Sequence, residues 1–144
     1  MKDDFIYEWT IQDMTLCDDL ITYHKEHNEY KTEGVAGKGK VNKEIKDSID
    51  VPFWPGSYNP TIKKYFQELQ IGIDDYLAKY PHVDTMRLWN REATNIQYYP
   101  PGGGFKRWHY ERDTVDFPQV ARGLVFMTYL NDVTDKGETE WFYQ

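Results

Sequence analysis

Apolar and polar residues alternate at the start of the chain, with Phe5, Tyr7 and Trp9 on every second position between Phe5 and Ile11. That is the period of a half-buried strand. The period then lengthens. Thr15, with Asp18 three residues on, forms a capping-box-like start, and Leu16, Leu20, Ile21 and His24 fall near one helical face. This pattern predicts a helix over about 16–27. From Asn28 to Ile49 the chain turns polar, with Gly34, Gly37 and Gly39 among lysines. So little apolar surface predicts a mobile loop, followed by a short strand over about 46–51. Asn59-Pro60 is a strong helix start, because Asn caps free N–H groups and Pro suits the first helical position. Ile62, Phe66, Leu69, Ile73, Tyr76 and Tyr80 follow in steps of four and three, an apolar stripe that Pro81 stops.

Beyond that helix the β-prone runs are 85–89, 94–99, 105–111, 120–130 and 138–143, separated by PPGGG, DTVDFP and NDVTDKG turn segments. Helices first and strands afterwards predict an α+β, mostly β fold, an antiparallel sandwich or roll with the N-terminal helices packed on one sheet.

At 144 residues the chain accommodates one domain. The 24 aromatic side chains (5 Trp, 12 Tyr and 7 Phe) favour pleated, half-buried surfaces and strengthen the β expectation. A net charge of -7 disfavours phosphate backbones, so nucleic acid is not an expected partner. There is neither an apolar run long enough to span a bilayer nor a basic-then-apolar leader in MKDDFIYEWT, so no membrane association is expected and the expected compartment is the cytoplasm. Cys17 is the single cysteine, which excludes an intrachain disulfide and leaves His and carboxylate as metal donors.

His109 and Glu111 stand two apart in KRWHYERD. On a strand both side chains point to one face, where an imidazole and a carboxylate supply two corners of the two-His-one-carboxylate triad that holds Fe(II). A surface strand with a solvated carboxylate has the same sequence. Other signals are weaker. Gly34 to Lys40 has phosphate-loop spacing, but Val41 replaces the magnesium-binding Ser or Thr. His24 and His27 read as a partly exposed helix face.

The segment NIQYYPPGGGFKRWHYE, followed by ARGLVFMTYLNDVTDKGETEWF from Ala121 to Phe142, resembles the prolyl 4-hydroxylase-like branch of the 2-oxoglutarate and Fe(II)-dependent dioxygenases. The likeness runs from about Asn95 to Gln144 and is looser before it. It implies a double-stranded β-helix (jelly-roll-like) core with Fe(II) and 2-oxoglutarate as cofactors. His109 and Glu111 would be metal ligands, and Tyr99 and Tyr129 would contact 2-oxoglutarate. The implied activity is hydroxylation, with a peptidyl proline, a free amino acid and another small molecule all open as substrates.

The same comparison shows a departure. Those enzymes carry a second His ligand and a basic 2-oxoglutarate anchor on later strands, whereas no His follows Glu111 here, and Arg122 and Lys136 do not match the anchor. The expectation is therefore one oxygenase-like domain over 1–144 that lacks its C-terminal strands. Unpaired strand edges of such a roll would pair with another copy, as a homodimer or a domain swap. The competing expectation is a catalytically inactive jelly-roll fragment that self-associates and binds no iron.

Overall fold

The computed structural model describes residues 5–37, 39–86, 92–112 and 115–142. Within them, helix α1 spans Thr15–Glu26 and helix α2 spans Pro60–Lys79. α2 starts as its sequence dictates, with Asn59 Oδ1 accepting from the Thr61 and Ile62 N–H groups at 2.9 and 3.3 Å. At about 1.5 Å per residue it is a rod about 30 Å long. α1 starts differently from the capping-box expectation. Met14 caps it without a side-chain bond, and the carboxylate serving this end is Asp13, whose Oδ1 accepts from the Thr15 N–H at 3.0 Å and from its hydroxyl at 2.6 Å. Asp18 sits in the first turn, where its charge meets the positive helix end.

The core lies where the two helices meet. Leu16, Cys17 and Leu20 from α1 pack with Ile62, Tyr65 and Leu69 from α2, and Ile11, Phe53 and Ile96 complete the cluster. The buried face of α2 includes Tyr65 and Gly72. Gly72 is a notch: a Cβ there would come within 2.4 Å of the Trp9 ring. The expected strand over Phe5–Ile11 does not form a ladder among the described residues. The segment runs along α2 instead, with Trp9 resting on the Gly72 notch.

Three small antiparallel sheets complete an α+β fold. Strands β1 (Thr32–Glu33), β5 (Ile49–Phe53) and β6 (Thr94–Tyr98) form one, in the order β1-β5-β6. β2 (Val35–Ala36) pairs with β3 (Lys40–Val41), and β4 (Lys46–Asp47) pairs with β7 (Gly104–Phe105). Among the described residues, the segment expected as a mobile loop thus carries the short strands β1, β2 and β3 before the expected strand begins. The expected strand over 46–51 is split at Ser48 into β4 and β5.

Two registers fix the site. Ile49 pairs with Tyr98, and Asp47 pairs with Gly104. The Tyr99–Gly103 stretch is therefore looped out of an otherwise continuing antiparallel pair, opposite Ser48. It turns tightly, Gly103 N–H donating to the Pro100 carbonyl at 2.7 Å while Gly102 takes φ 77°. Pro101 before a Gly of positive φ is the residue pair that a type II turn requires.

Strand propensity overreached further on. The 105–111 run forms a strand only at its start, and 106–112 leaves the ladder. Pro81–Met86 is a 3₁₀ turn, and the remainder of the 85–89 run lies outside the described residues. Gln119–Ala121 is also 3₁₀. Residues 122–130 alternate between half-buried and exposed as a strand would, yet carry no ladder among the described residues. The part of the 138–143 run that is described, 138–142, has no strand.

Candidate functional site

β4 and β5 place Lys46, Ser48 and Asp50 on one face, two residues apart, and all three are buried, Lys46 and Asp50 to 5% exposure. A buried charge needs a partner. Lys46 Nζ donates to Asp50 Oδ2 at 2.8 Å, and Ser48 Oγ donates to Asp50 Oδ1 at 2.7 Å. From β6, Gln97 Nε2 reaches Asp50 Oδ2 at 3.4 Å, and Tyr99 OH donates to Gln97 Oε1 at 2.8 Å. Gly34 lets this cluster close, since a Cβ there would lie 2.2 Å from Ser48 Oγ. Burial, and then the Asp50 charge, push the Tyr99 phenol up to about 12, so it remains a hydrogen-bond donor across the physiological range.

The Lys46 ammonium lies 5.8 Å from the centroid of the Phe105 ring, and that ring stacks on His109 at 3.9 Å. His109 and Glu111 are not on a strand, which corrects the expected geometry. A turn brings them together nonetheless, with His109 Nε2 standing 3.6 Å from Glu111 Oε1. The other imidazole nitrogen, Nδ1, lies 2.9 Å from the Arg107 carbonyl. A carbonyl only accepts, so Nδ1 carries a proton, which leaves Nε2 as the ring atom that faces Glu111.

Divalent first-row ions hold N and O donors at about 2.0–2.2 Å, so two donors on one ion stand about 3–4 Å apart. The Nε2 to Oε1 spacing fits two ligands of one ion. Among the described residues no group of three or more His, Cys, Asp or Glu side chains could hold a metal.

The second Glu111 oxygen is held by Arg122, whose Nη1 donates to Oε2 at 2.8 Å. Arg122 also forks onto Glu92, with Nη2 to Oε2 at 2.7 Å and Nε to Oε1 at 3.1 Å. That contact lowers the Glu92 carboxyl below its ordinary range. Sequence reasoning missed Glu92 and the Lys46, Ser48, Asp50 and Gln97 cluster. The period-two polar positions in KDSID were the available signal for the cluster.

Tyr129 lies apart from this assembly. It is exposed, and its hydroxyl meets the Thr139 hydroxyl. His24 and His27 belong to no metal-binding group among the described residues. His24, which is buried and so not part of an exposed helix face, bonds the Ile49 carbonyl at 2.9 Å, and His27 bonds the Tyr23 carbonyl at 2.8 Å.

Beside the His109 pair, Trp108 meets Phe142 edge to face at 5.2 Å. Trp108 and Phe142, with Thr139, Glu140 and Trp141, line an open cleft of about 510 Å³. Among the described residues no helix is long and apolar enough to cross a membrane. Comparison with protein-family models, curated proteins and solved structures finds no match for the chain.

Proposed function

We propose that this chain is a 2-oxoglutarate- and Fe(II)-dependent oxidoreductase of the hydroxylase type, on a double-stranded β-helix core, with a peptide or small-molecule substrate. The observation that carries the proposal is the convergence of His109 Nε2 and Glu111 Oε1 at 3.6 Å, with Nδ1 tied to the Arg107 carbonyl. A histidine whose remote nitrogen is bound to a carbonyl is oriented as metal ligands are.

His109 and Glu111 would hold the iron, which when bound supplies dioxygen activation for C–H hydroxylation, with 2-oxoglutarate as co-substrate. The chain's own contribution is positional. The Phe105 face fixes the imidazole plane. The protonated Tyr99 phenol offers a donor to a co-substrate oxygen once it turns from Gln97. We read Tyr129 as the second co-substrate contact on the likeness to that family alone. The single, buried Cys17 accords with a cytoplasmic setting.

The test is anaerobic Fe(II) binding with 2-oxoglutarate present, comparing this chain with its His109→Ala variant. Stoichiometric binding that the variant abolishes supports the reading; no binding by either overturns it.

A second reading is a non-catalytic domain that self-associates and binds no iron. It is favoured by the exposed row of Val125, Met127 and Tyr129 on an extended segment without a ladder among the described residues.

A further inference from the structure

We infer that the open cleft beside the His109 turn is a binding site for an alkylated ammonium group, a cation wrapped in methyl or methylene carbons. Neither His109 nor Glu111 lines the cleft, so the site stands apart from the iron reading. Its lining is Trp108, Thr139, Glu140, Trp141 and Phe142, around about 510 Å³. Ligand pockets span roughly 300 to 1,000 Å³.

The rings set the first part of the chemistry. Single exposed aromatic residues are ordinary, but here three share one concave surface, with Trp108 54%, Trp141 53% and Phe142 67% exposed. Trp108 and Phe142 stand 88° apart with centroids at 5.2 Å. Walls at right angles enclose a rounded group from two sides, whereas a flat sugar or base needs one open face to lie on. An aromatic face carries negative charge density that attracts a cation, and indole does so best.

Glu140 supplies the counter-charge, and among the described residues no Lys or Arg lines the cleft. The net charge of -7 attracts a ligand of the same sign from a distance. Thr139 disfavours a polyol. Its one hydroxyl proton goes to Met127 Sδ at 3.8 Å and its oxygen meets the Tyr129 hydroxyl, so it has no proton to give a ligand. A bare ammonium is strongly hydrated, while an alkylated one sheds water more readily and suits rings and carboxylate together.

This chemistry has two sources, a free quaternary amine and a methylated lysine side chain. Choline and trimethyllysine amide are therefore the probes, with the neutral alcohol in which a tert-butyl group replaces trimethylammonium as the uncharged match to choline. Each is titrated into the full chain and followed by its methyl proton signal, with wild type, Trp108→Ala, Trp141→Ala and Glu140→Gln compared.

The expected result is choline binding at least about 5-fold tighter than binding of the alcohol, with Trp108→Ala and Trp141→Ala each weakening it about 2–5-fold. Glu140→Gln should weaken it by an amount that added salt removes. Tighter binding of trimethyllysine amide than of choline assigns the site to a side chain, and the reverse assigns it to a free amine; both uphold the inference. Equal affinity for choline and the alcohol overturns it, because the cleft is then only apolar. Failure of both cations to bind, or choline binding that survives both Trp changes, overturns it too. Should a Trp variant not fold, Glu140→Gln decides, and unchanged choline affinity there at low salt overturns the inference.

Discussion

The Phe105 ring lies 3.9 Å from the His109 ring and 16° from parallel to it. The contact joins β7, the last residue of which is Phe105, to a histidine that no longer belongs to a strand. Replacing Phe105 with Ala should release the imidazole while costing about 1 kcal/mol of stability, the usual value of an aromatic pair. Anaerobic Fe(II) titration should show weaker binding in this variant, with Phe105→Tyr close to wild type. Equal affinities in all three proteins would show that the stacking does not orient His109.

The buried Lys46–Asp50 pair should dominate local stability. Asp50→Asn leaves an ammonium buried without its counter-charge, which costs about 3–5 kcal/mol. Lys46→Met combined with Asp50→Asn should cost less than the sum of the single changes, because the two groups interact directly. Denaturant midpoints of the three variants check this; strict additivity would contradict the contact.

Asp13 gives the acid side of the stability profile a defined shape. Hydrogen bonds from Lys64 and from Thr15 hold its carboxyl at about 2, below the ordinary 3.8. A lowered folded-state value contributes stability that is complete above 3.8 and disappears as pH falls through about 2. Thermal midpoints followed from pH 5 to pH 2 should therefore drop less steeply in Asp13→Asn than in wild type.

The alkaline side has the opposite sign. The Tyr99 phenol sits at about 12 in the fold against an ordinary 10, so the folded chain keeps a proton that the unfolded chain loses. Stability should be unaffected by this group below pH 10 and should fall as pH rises from there toward 12. Tyr99→Phe should flatten that decline, as measured by denaturant midpoints.

Self-association is measurable at the exposed row of Val125, Met127 and Tyr129. If the Val125, Met127 and Tyr129 row pairs with a second copy, sedimentation velocity will show a mass that rises with concentration. Met127→Lys should return it to the monomer value, as charges on an edge discourage pairing. A concentration-independent monomer mass in wild type would remove the self-association reading.

The two helices were legible because helical order is local. Asn59-Pro60 and the stripe from Ile62 to Tyr80 contain their own start, face and stop. β6 was legible for a similar reason, a β-prone run closed by the Pro100–Gly104 turn. The 105–111 run was not, because strand propensity reports what a side chain tolerates, and pairing depends on a distant partner. β4 supplies only two residues for β7, so the ladder ends at Phe105. His109 and Glu111 still converge, but through a turn, an arrangement that two-residue spacing does not encode. The Arg122 contacts with Glu92 and Glu111 needed three remote segments, and the short strand expected over 46–51 gave no sign that Lys46, Ser48 and Asp50 would be its buried face.

Residues 122–130 join half-buried side chains to a backbone without a ladder among the described residues. Phe126 and Leu130 pack against the core, and Thr128 bonds Tyr65 at 3.0 Å. To a protease or a chaperone, both of which grip substrates in extended form, the stretch GLVFMTYL offers an uncharged peptide already straightened. Its side chains hold it down, and with no ladder among the described residues its amides should exchange with solvent ahead of those in the β5–β6 ladder. A lifting of this one segment from α2 would expose it without unfolding the two helices.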